Sequence, residues 1–404
     1  MATPIRTQVG IIGAGPAGLL LSHLLDRAGI SSVVIDKRSR DDIEKTIRAG
    51  ILEQGTVDVL VGTGVSDRVL REGHKHDGIE LRFKGEGHRI DFPALVGRSV
   101  YLYPQHEVLK DLVASRLAAG ADIRFEASDA ELHGQLSDTP TITFTDAQGT
   151  EHEIQCDFIA GTDGSQSIAR RSIPDADRRD YFRAYPFAWF GILCDAAPSS
   201  DELIYSAADR GFALISQRSE TVQRMYFQVP TDTKTDDWSD ARIWDELQAR
   251  VDGVDLLEGP IFQKDVLQFR SYVCETMRHG RLFLAGDAAH TVPPTGAKGM
   301  NLAIADVLVL ADAMGAYYDN GSTEKLDGYA DTALRRVWRG QQFSYWMTSM
   351  LHATPDEQPF DRQRRYGELE TVTSSEAGRT YLAEAYTGWP FDVGYNSPAS
   401  SPAG

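Results

Sequence analysis

Two short alternating stretches carry residues suited to holding an anion. In 211–218 (GFALISQR), Ser216 and Arg218 are two apart, and in 223–229 (QRMYFQV), Arg224 and Tyr226 are two apart. Successive side chains of a strand point to opposite faces, so each pair shares a face, while Met225, Phe227 and Val229 form an apolar opposite face. Guanidinium groups bind carboxylates bidentately, and nearby hydroxyls can complete such a clamp. On alternation alone, a solvated basic face explains the same residues better than a clamp does.

A second group is suited to phosphate. Gly13-Ala-Gly15-Pro-Ala-Gly18 follows an apolar run and opens a helical pattern, and Asp36 lies at the end of the next apolar run. Gly13 permits a tight turn, Gly15 lets a pyrophosphate approach the backbone, and Gly18 lets helix and strand pack closely. The helix N-terminus offers free N–H groups, and Asp36 can accept from a ribose hydroxyl. These features predict a dinucleotide site. Gly62-Thr-Gly64 gives no second one, because the third glycine and a preceding strand are absent.

The third group is Gly286-Asp287-Ala-Ala-His290-Thr-Val-Pro293-Pro294-Thr-Gly296-Ala-Lys298-Gly299-Met300-Asn301. It leaves a short apolar strand and enters a helix. Asp287 could bond a polyol chain, and the glycines with the new helix N-terminus could stabilise a developing anion. A Gly/Pro-rich loop with a capping Asp is the plainer explanation of the same residues.

The two glycine motifs, with Thr162-Asp163-Gly164 between them, resemble the single-component FAD-dependent aromatic hydroxylase family. The similarity runs from about residue 7 to 391, through stretches such as IRAGILEQGTVD, ELIYSAADRGFALISQRS, LFLAGDAAHTVPPTGAKGMNLA and FSYWMTSMLH. Within the family, it looks more narrowly like the members that convert 4-hydroxybenzoate to 3,4-dihydroxybenzoate. The resemblance implies an enzyme that uses FAD, NADH or NADPH, and O2, with oxygen passed from the flavin C4a carbon to the ring.

The resemblance also assigns roles. Gly13, Gly15, Gly18, Asp36, Arg48 and Gln105 become FAD contacts, and Asp287 becomes the ribityl contact. The backbone at Gly299, Met300 and Asn301 would face the flavin's pyrimidine edge. Ser216, Arg218 and Tyr226 would hold the benzoate carboxylate, and Arg224 would influence flavin position. Tyr205 and Pro294 would meet the phenol end. Tyr205, Tyr386 and His76 would form a proton relay ending near solvent. Without the resemblance, these three are a core tyrosine, a packing tyrosine and a surface histidine. Where family members often carry a second arginine before Arg48, this chain has Thr46.

For the nicotinamide nucleotide, the family match points to Lys37, Arg38, Arg170 and Arg270. The segment from Asp36 to Glu44 (DKRSRDDIE) mixes three basic with four acidic residues, so attraction for a 2′-phosphate does not dominate. NADH is therefore the expected reductant, alone or beside NADPH.

The elements that must position these residues can be read coarsely. Residues 8–12, 16–28 and 32–36 read as strand, helix and strand. Period-two alternation dominates from about 76 to 97 and from about 181 to 270, which predicts an inserted antiparallel sheet. Residues 281–285 read as a buried strand, and 299–315 and about 324–351 as helices. The expected fold is mixed α/β, with a Rossmann-like FAD-binding domain (1–75, 98–180 and 271–320), a substrate-binding sheet domain (76–97 and 181–270), a C-terminal helical interface region (321–392) and a frayed tail (393–404).

Bulk properties exclude other classes. The chain has 404 residues and a formal charge of −18, the wrong sign for a nucleic-acid binder. Cys156, Cys194 and Cys274 lie far apart, with no metal spacing and no disulfide framework. The first apolar run is broken by glycines and Pro16, unlike a signal peptide, and no uninterrupted apolar stretch approaches the ~20 residues that span a bilayer. A cytoplasmic enzyme is expected, with no nucleic-acid or membrane partner. The family resemblance adds the expectation of a homodimer.

Overall fold

The structure is a computed structural model and describes residues 4–45 and 50–391. Arg48, Thr46 and the tail 393–404 lie outside the described residues. The N-terminal βαβ unit forms where the sequence places it, with strand Val9–Ile12, helix Pro16–Arg27 and strand Ser32–Ile35. The helix buries Leu19, Leu20, Leu21, Leu24 and Leu25. Pro16 sits in its first turn, where a missing N–H is harmless. These strands belong to a six-stranded sheet, in the order Arg278–His279, Leu282–Leu284, Phe158–Gly161, Val9–Ile12, Ser32–Ile35, Asp122–Arg124. All of its pairings are parallel except that of Arg278–His279 with Leu282–Leu284.

The second large sheet has eight strands. Its central hairpin joins Gly211–Gln217 to Val222–Val229, with Ser216 opposite Arg224 and Leu214 opposite Tyr226. One pairing departs from the antiparallel expectation: Gly78–Phe83 runs parallel to Leu203–Ala208. Alternation reports which face a residue takes, not the direction of its neighbour strand, so the sequence could not show this. A four-stranded sheet, including Ser128–His133, Thr141–Thr145 and Glu151–Gln155, also escaped the sequence reading.

The two faces of the large sheet pack differently. Met225, Phe227 and Val229 join a cluster with Ile243, Trp244 and Leu247 of helix Asp240–Arg250. That helix was also missed, although Ser239 caps it by accepting from the Arg242 N–H and its apolar residues recur at helical spacing. The other face carries Tyr205, Leu214 and Tyr226, covered by Phe343, Met347 and Tyr386 from the C-terminal helices Tyr329–Leu351 and Glu376–Thr387.

Helix Gly299–Asn320 extends beyond the 299–315 expected and is apolar enough in composition to cross a membrane, but 61% of its most apolar window is buried inside the fold. It packs beside the first helix in the core under the six-stranded sheet. The expected helix over 324–351 is interrupted at Gly328, leaving the short helix Glu324–Asp327 and the long helix Tyr329–Leu351.

Candidate active site

The fingerprint turn is shaped for a close ligand. Gly13 has φ +107°, and a Cβ there would lie 2.5 Å from the Thr162 carbonyl. A Cβ on Gly18 would stand 1.9 Å from the Gly13 carbonyl. Gly15, by contrast, has nothing within 4 Å of where its Cβ would be, and no side chain caps the helix N-terminus that follows it. Tight packing behind and open space in front are what an approaching pyrophosphate needs. The Thr162-Asp163-Gly164 motif braces this turn. Thr162 Oγ1 donates to the Ile12 and Gly13 carbonyls at 2.9 and 3.0 Å, and Asp163 accepts from Ser167 and the Ile168 N–H.

Asp36 is buried at the end of its strand. Its carboxylate accepts from the Ala14 N–H at 2.7 Å and from the Arg38 side chain and backbone N–H. Each carboxylate oxygen thus already accepts two hydrogen bonds, so a ribose hydroxyl would take the place of one of the Arg38 contacts. Arg38, expected to contact the nicotinamide nucleotide, is thus engaged with Asp36. Lys37 is exposed, with no hydrogen bond or ion pair to the described residues. The acids that follow are largely matched within helix Arg40–Lys45, through Arg40–Glu44 and Lys45–Asp41, both 2.6 Å. Gln105 begins helix Gln105–Ala118 and is half-buried.

Asp287 sits in the turn Gly286–Ala288, directly after strand Leu282–Leu284. Behind it lies the pair His290 Nε2–Asp306 Oδ2, 2.6 Å apart and almost fully buried, and the same carboxylate oxygen accepts the Gly286 N–H. Burial opposes charge on His290, but the Asp306 carboxylate outweighs it, so the imidazole titrates above its usual range. Arg170 donates to the Ala288 and Ser165 carbonyls at 2.6 and 2.7 Å, bracing two loops. Arg270 is exposed on its strand, and its side chain makes no hydrogen bond or ion pair among the described residues.

Gly299 opens the helix that carries Met300 and Asn301. A Cβ at Gly299 would meet nothing within 4 Å, and no side chain caps this helix N-terminus. The Asn301 side chain is fully committed: it accepts from the Glu53 N–H and Thr56, and donates to the Ile51 and Ala297 carbonyls. The backbone N–H groups of Met300 and Asn301 therefore remain the part suited to a flavin edge. Lys298, which the sequence reading did not single out, is buried. Its Nζ donates to Glu53 at 2.6 Å and to the Tyr386 carbonyl at 2.9 Å. Burial pushes this lysine below its usual range, and Glu53 partly offsets that.

The substrate-clamp candidates converge on the covered face of the large sheet. Pairing registers place Leu81, Tyr205, Leu214, Tyr226, Gly191 and Asp265 in one row across six adjacent strands. Ser216 and Arg224 occupy the next row on that face, and Arg218 follows the hairpin strand's end, its N–H donating to the Val222 carbonyl. Ser216 Oγ donates to the Arg224 carbonyl at 2.6 Å. The Arg218 Nε is buried without a hydrogen-bond partner. Burial holds the Arg218 guanidinium below the usual arginine range; the like charge of Arg224 adds to this, and Tyr226 opposes it. A half-buried cation whose Nε is buried and unused, beside a second cation, is poised for an anion.

At the other end, the Tyr205 and Tyr386 hydroxyls are 2.7 Å apart, and both residues are 1% exposed. Burial raises both phenols above their usual range, and for Tyr386 the neighbouring Tyr205 adds to it. His76 was expected near solvent but is only 2% exposed, because strand His74–His76 pairs inward with Val100–Leu102. Its nearest polar contact is the Gln217 side chain at 3.4 Å, its Nδ1 has no partner, and burial holds it below its usual range. The structure thus joins the two tyrosines directly and does not bond His76 to either. Pro294 begins the turn Pro294–Gly296. Beside it, Thr295 accepts from Thr348, whose carbonyl faces His352 Nδ1, while Trp189 Nε1 donates to His352 Nε2 at 2.7 Å. His352 accepts on Nε2, so its proton sits on Nδ1; burial pushes it down to about 3, keeping it neutral.

A family model described as an FAD binding domain matches residues 6–344. The p-hydroxybenzoate hydroxylase of Acinetobacter baylyi (strain ATCC 33305 / BD413 / ADP1) is 45% identical over 393 residues, covering 96% of this chain and 97% of that protein. The chain belongs to the FAD-dependent aromatic hydroxylases. An uncharacterized aromatic compound monooxygenase of Bacillus subtilis (strain 168) is 27% identical, covering 81% of this chain and 65% of the relative. Among solved structures, p-nitrophenol 4-monooxygenase from Pseudomonas putida DLL-E4 superposes with a TM-score of 0.80 at 20% identity, covering 96% of this chain and 99% of that one. That last likeness shows the hydroxylase fold alone.

Proposed function

We propose that this hydroxylase converts 4-hydroxybenzoate to 3,4-dihydroxybenzoate with NADH or NADPH and O2. The observation that carries the reading is the row from Tyr205 to Tyr226. Two strand spacings, roughly 10 Å, separate a buried hydroxyl pair from an arginine-rich end. A single aromatic ring with a phenol at one end and a carboxylate at the other suits that span.

The open turn at Gly15 and the uncapped helix at Gly299 fit FAD. Gly13, Gly15 and Gly18 would hold its pyrophosphate, Asp36 its ribose, Asp287 its ribityl chain, and the Met300 and Asn301 N–H groups its pyrimidine edge. When bound, FAD supplies the redox chemistry, taking electrons from the nicotinamide nucleotide and passing oxygen to the ring.

The chain's own residues bind, orient and activate. Arg218 and Tyr226 hold the carboxylate, and the Ser216 hydroxyl joins them by rotating away from the Arg224 carbonyl. Tyr205 meets the phenol. A phenolate attacks electrophilic oxygen better than a phenol, and the positive charge of Arg218 and Arg224 favours the anion. Tyr205 and Tyr386 are neutral near pH 7, so each can accept a proton from one side as it donates to the other. An ordered water would complete the path to His76. The aromatic cover excludes bulk water from the reacting ring. Arg224 is assigned to flavin positioning, and Lys37 and Arg270 to the nicotinamide nucleotide, with Arg38 and Arg170 bracing that side. We place the enzyme in the cytoplasm as a homodimer, with the domain division given above.

The test is direct. Purified protein should be yellow, its NAD(P)H oxidation should rise on adding 4-hydroxybenzoate, and chromatography should identify 3,4-dihydroxybenzoate. Stimulation without that product would refute the substrate assignment.

A further inference from the structure

We infer that Asp265 is a positioning residue that sets the charge of the carboxylate end of the site, and this rests on the reading of that site as a benzoate clamp. Asp265 lies on strand Ile261–Cys274, two strands from Tyr226. The residue between them in the row is Gly191. A Cβ at Gly191 would come within 2.5 Å of Asp265 Oδ1 and 2.8 Å of the Tyr226 ring. The missing side chain opens a gap through which the carboxylate reaches Arg224, at 2.6 Å from Asp265 Oδ2 to Arg224 Nη2.

Arg224 is held from two sides. Its guanidinium lies 4.7 Å from the centre of the Tyr226 ring, and Asp265 fixes its far end. Gln263 adds a weak contact to the same Asp265 oxygen at 3.4 Å. Two arginines side by side would repel each other and over-bind anions. With Asp265 present, the charges of Arg218, Arg224 and Asp265 sum to one positive, matched by one carboxylate. The clamp is thus tuned to a monoanion, and Arg224 is tethered rather than free to join Arg218 on the substrate. The pair is also incompletely satisfied: Asp265 Oδ1 and Arg224 Nε are buried without partners. That leaves the tether able to rearrange when Arg224 is drawn elsewhere.

The experiment compares an anionic with a neutral probe in the FAD-loaded enzyme. Dissociation constants for 4-hydroxybenzoate and for its uncharged amide, 4-hydroxybenzamide, are measured by perturbation of flavin absorbance. This is done in wild type, Asp265→Asn and Asp265→Glu. Asp265→Asn keeps the shape and removes the charge. It should tighten the acid by roughly threefold to tenfold, the range for losing one partly screened negative charge, and leave the amide unchanged. Asp265→Glu restores the charge and should return the acid-to-amide ratio toward wild type. A structural disturbance would move both probes together. An acid-to-amide ratio in Asp265→Asn within twofold of wild type would overturn the inference while leaving the benzoate reading intact. Wild-type enzyme that binds neither probe would overturn that reading, and the inference with it.

Discussion

Replacing Arg218 by Ala separates the two consequences of burying a cation for use. In the folded protein, Arg218 carries a buried Nε with no partner, beside the like charge of Arg224. In the proposed clamp, the substrate carboxylate would supply the missing acceptor. Hydrogen bonds to charged groups contribute ~1.5–3 kcal/mol each way they are counted, so Arg218→Ala should weaken 4-hydroxybenzoate by roughly tenfold to 150-fold. The same substitution removes an unsatisfied donor, which offsets the lost packing of the arginine stem. The substrate-free thermal midpoint should therefore hold or rise, while the midpoint shift on adding 4-hydroxybenzoate shrinks. Arg218→Lys keeps the charge but not the planar fork and should recover only part of the affinity. The assay is titration of the FAD-loaded enzyme by flavin absorbance, with thermal unfolding followed with and without substrate. A dissociation constant for Arg218→Ala within threefold of wild type would show that the carboxylate is held elsewhere.

Three further outcomes are expected. Tyr205→Phe deletes one end of the 2.7 Å hydroxyl pair and should uncouple the enzyme, so that NADH consumption continues but yields hydrogen peroxide in place of product; full coupling would refute the relay. Gly18→Ala puts a Cβ 1.9 Å from the Gly13 carbonyl and 2.5 Å from Thr162 Oγ1, backbone and side chain that cannot both retreat; it should lose bound flavin and destabilise the protein by ~1–3 kcal/mol, read as absorbance at the flavin band and thermal midpoint. NADH should serve at least comparably to NADPH, since Arg40 and Lys45 are paired within their own helix and Arg38 with Asp36; a kcat/KM for NADPH more than about tenfold above that for NADH, ~1.4 kcal/mol, would reverse this assignment.

How much of this was readable from sequence depended on how far apart the interacting residues lie. The fingerprint turn is local, and each glycine's role follows from its own backbone geometry. The hairpin is local too, so alternation correctly separated Tyr226 from Met225, Phe227 and Val229. It could not supply the partner across the sheet. Tyr205 meets Tyr386, and Lys298 meets Glu53, only because distant segments converge, and no periodicity encodes that. The tyrosine pair was reached through family resemblance. Lys298 and Asp265 were not reached, because a buried lysine and an ordinary strand aspartate look the same in sequence as their exposed counterparts. His76 shows the converse: its residue type was noted, but the inward pairing of its strand was not visible.

The anchoring of the last described helix has a consequence for how the enzyme is made. Lys298 grips the Tyr386 carbonyl, and Arg336 grips the Trp389 and Pro390 carbonyls, so the C-terminal segment is held by main-chain atoms rather than by its side chains alone. The nucleotide-binding sheet draws its strands from earlier in the chain and can collapse while synthesis is under way. The pocket around the tyrosine pair cannot, because Tyr386 follows every other candidate site residue in the chain. A nascent chain therefore exposes the glycine-rich turn suited to its cofactor before it exposes the residue that completes the hydroxyl pair.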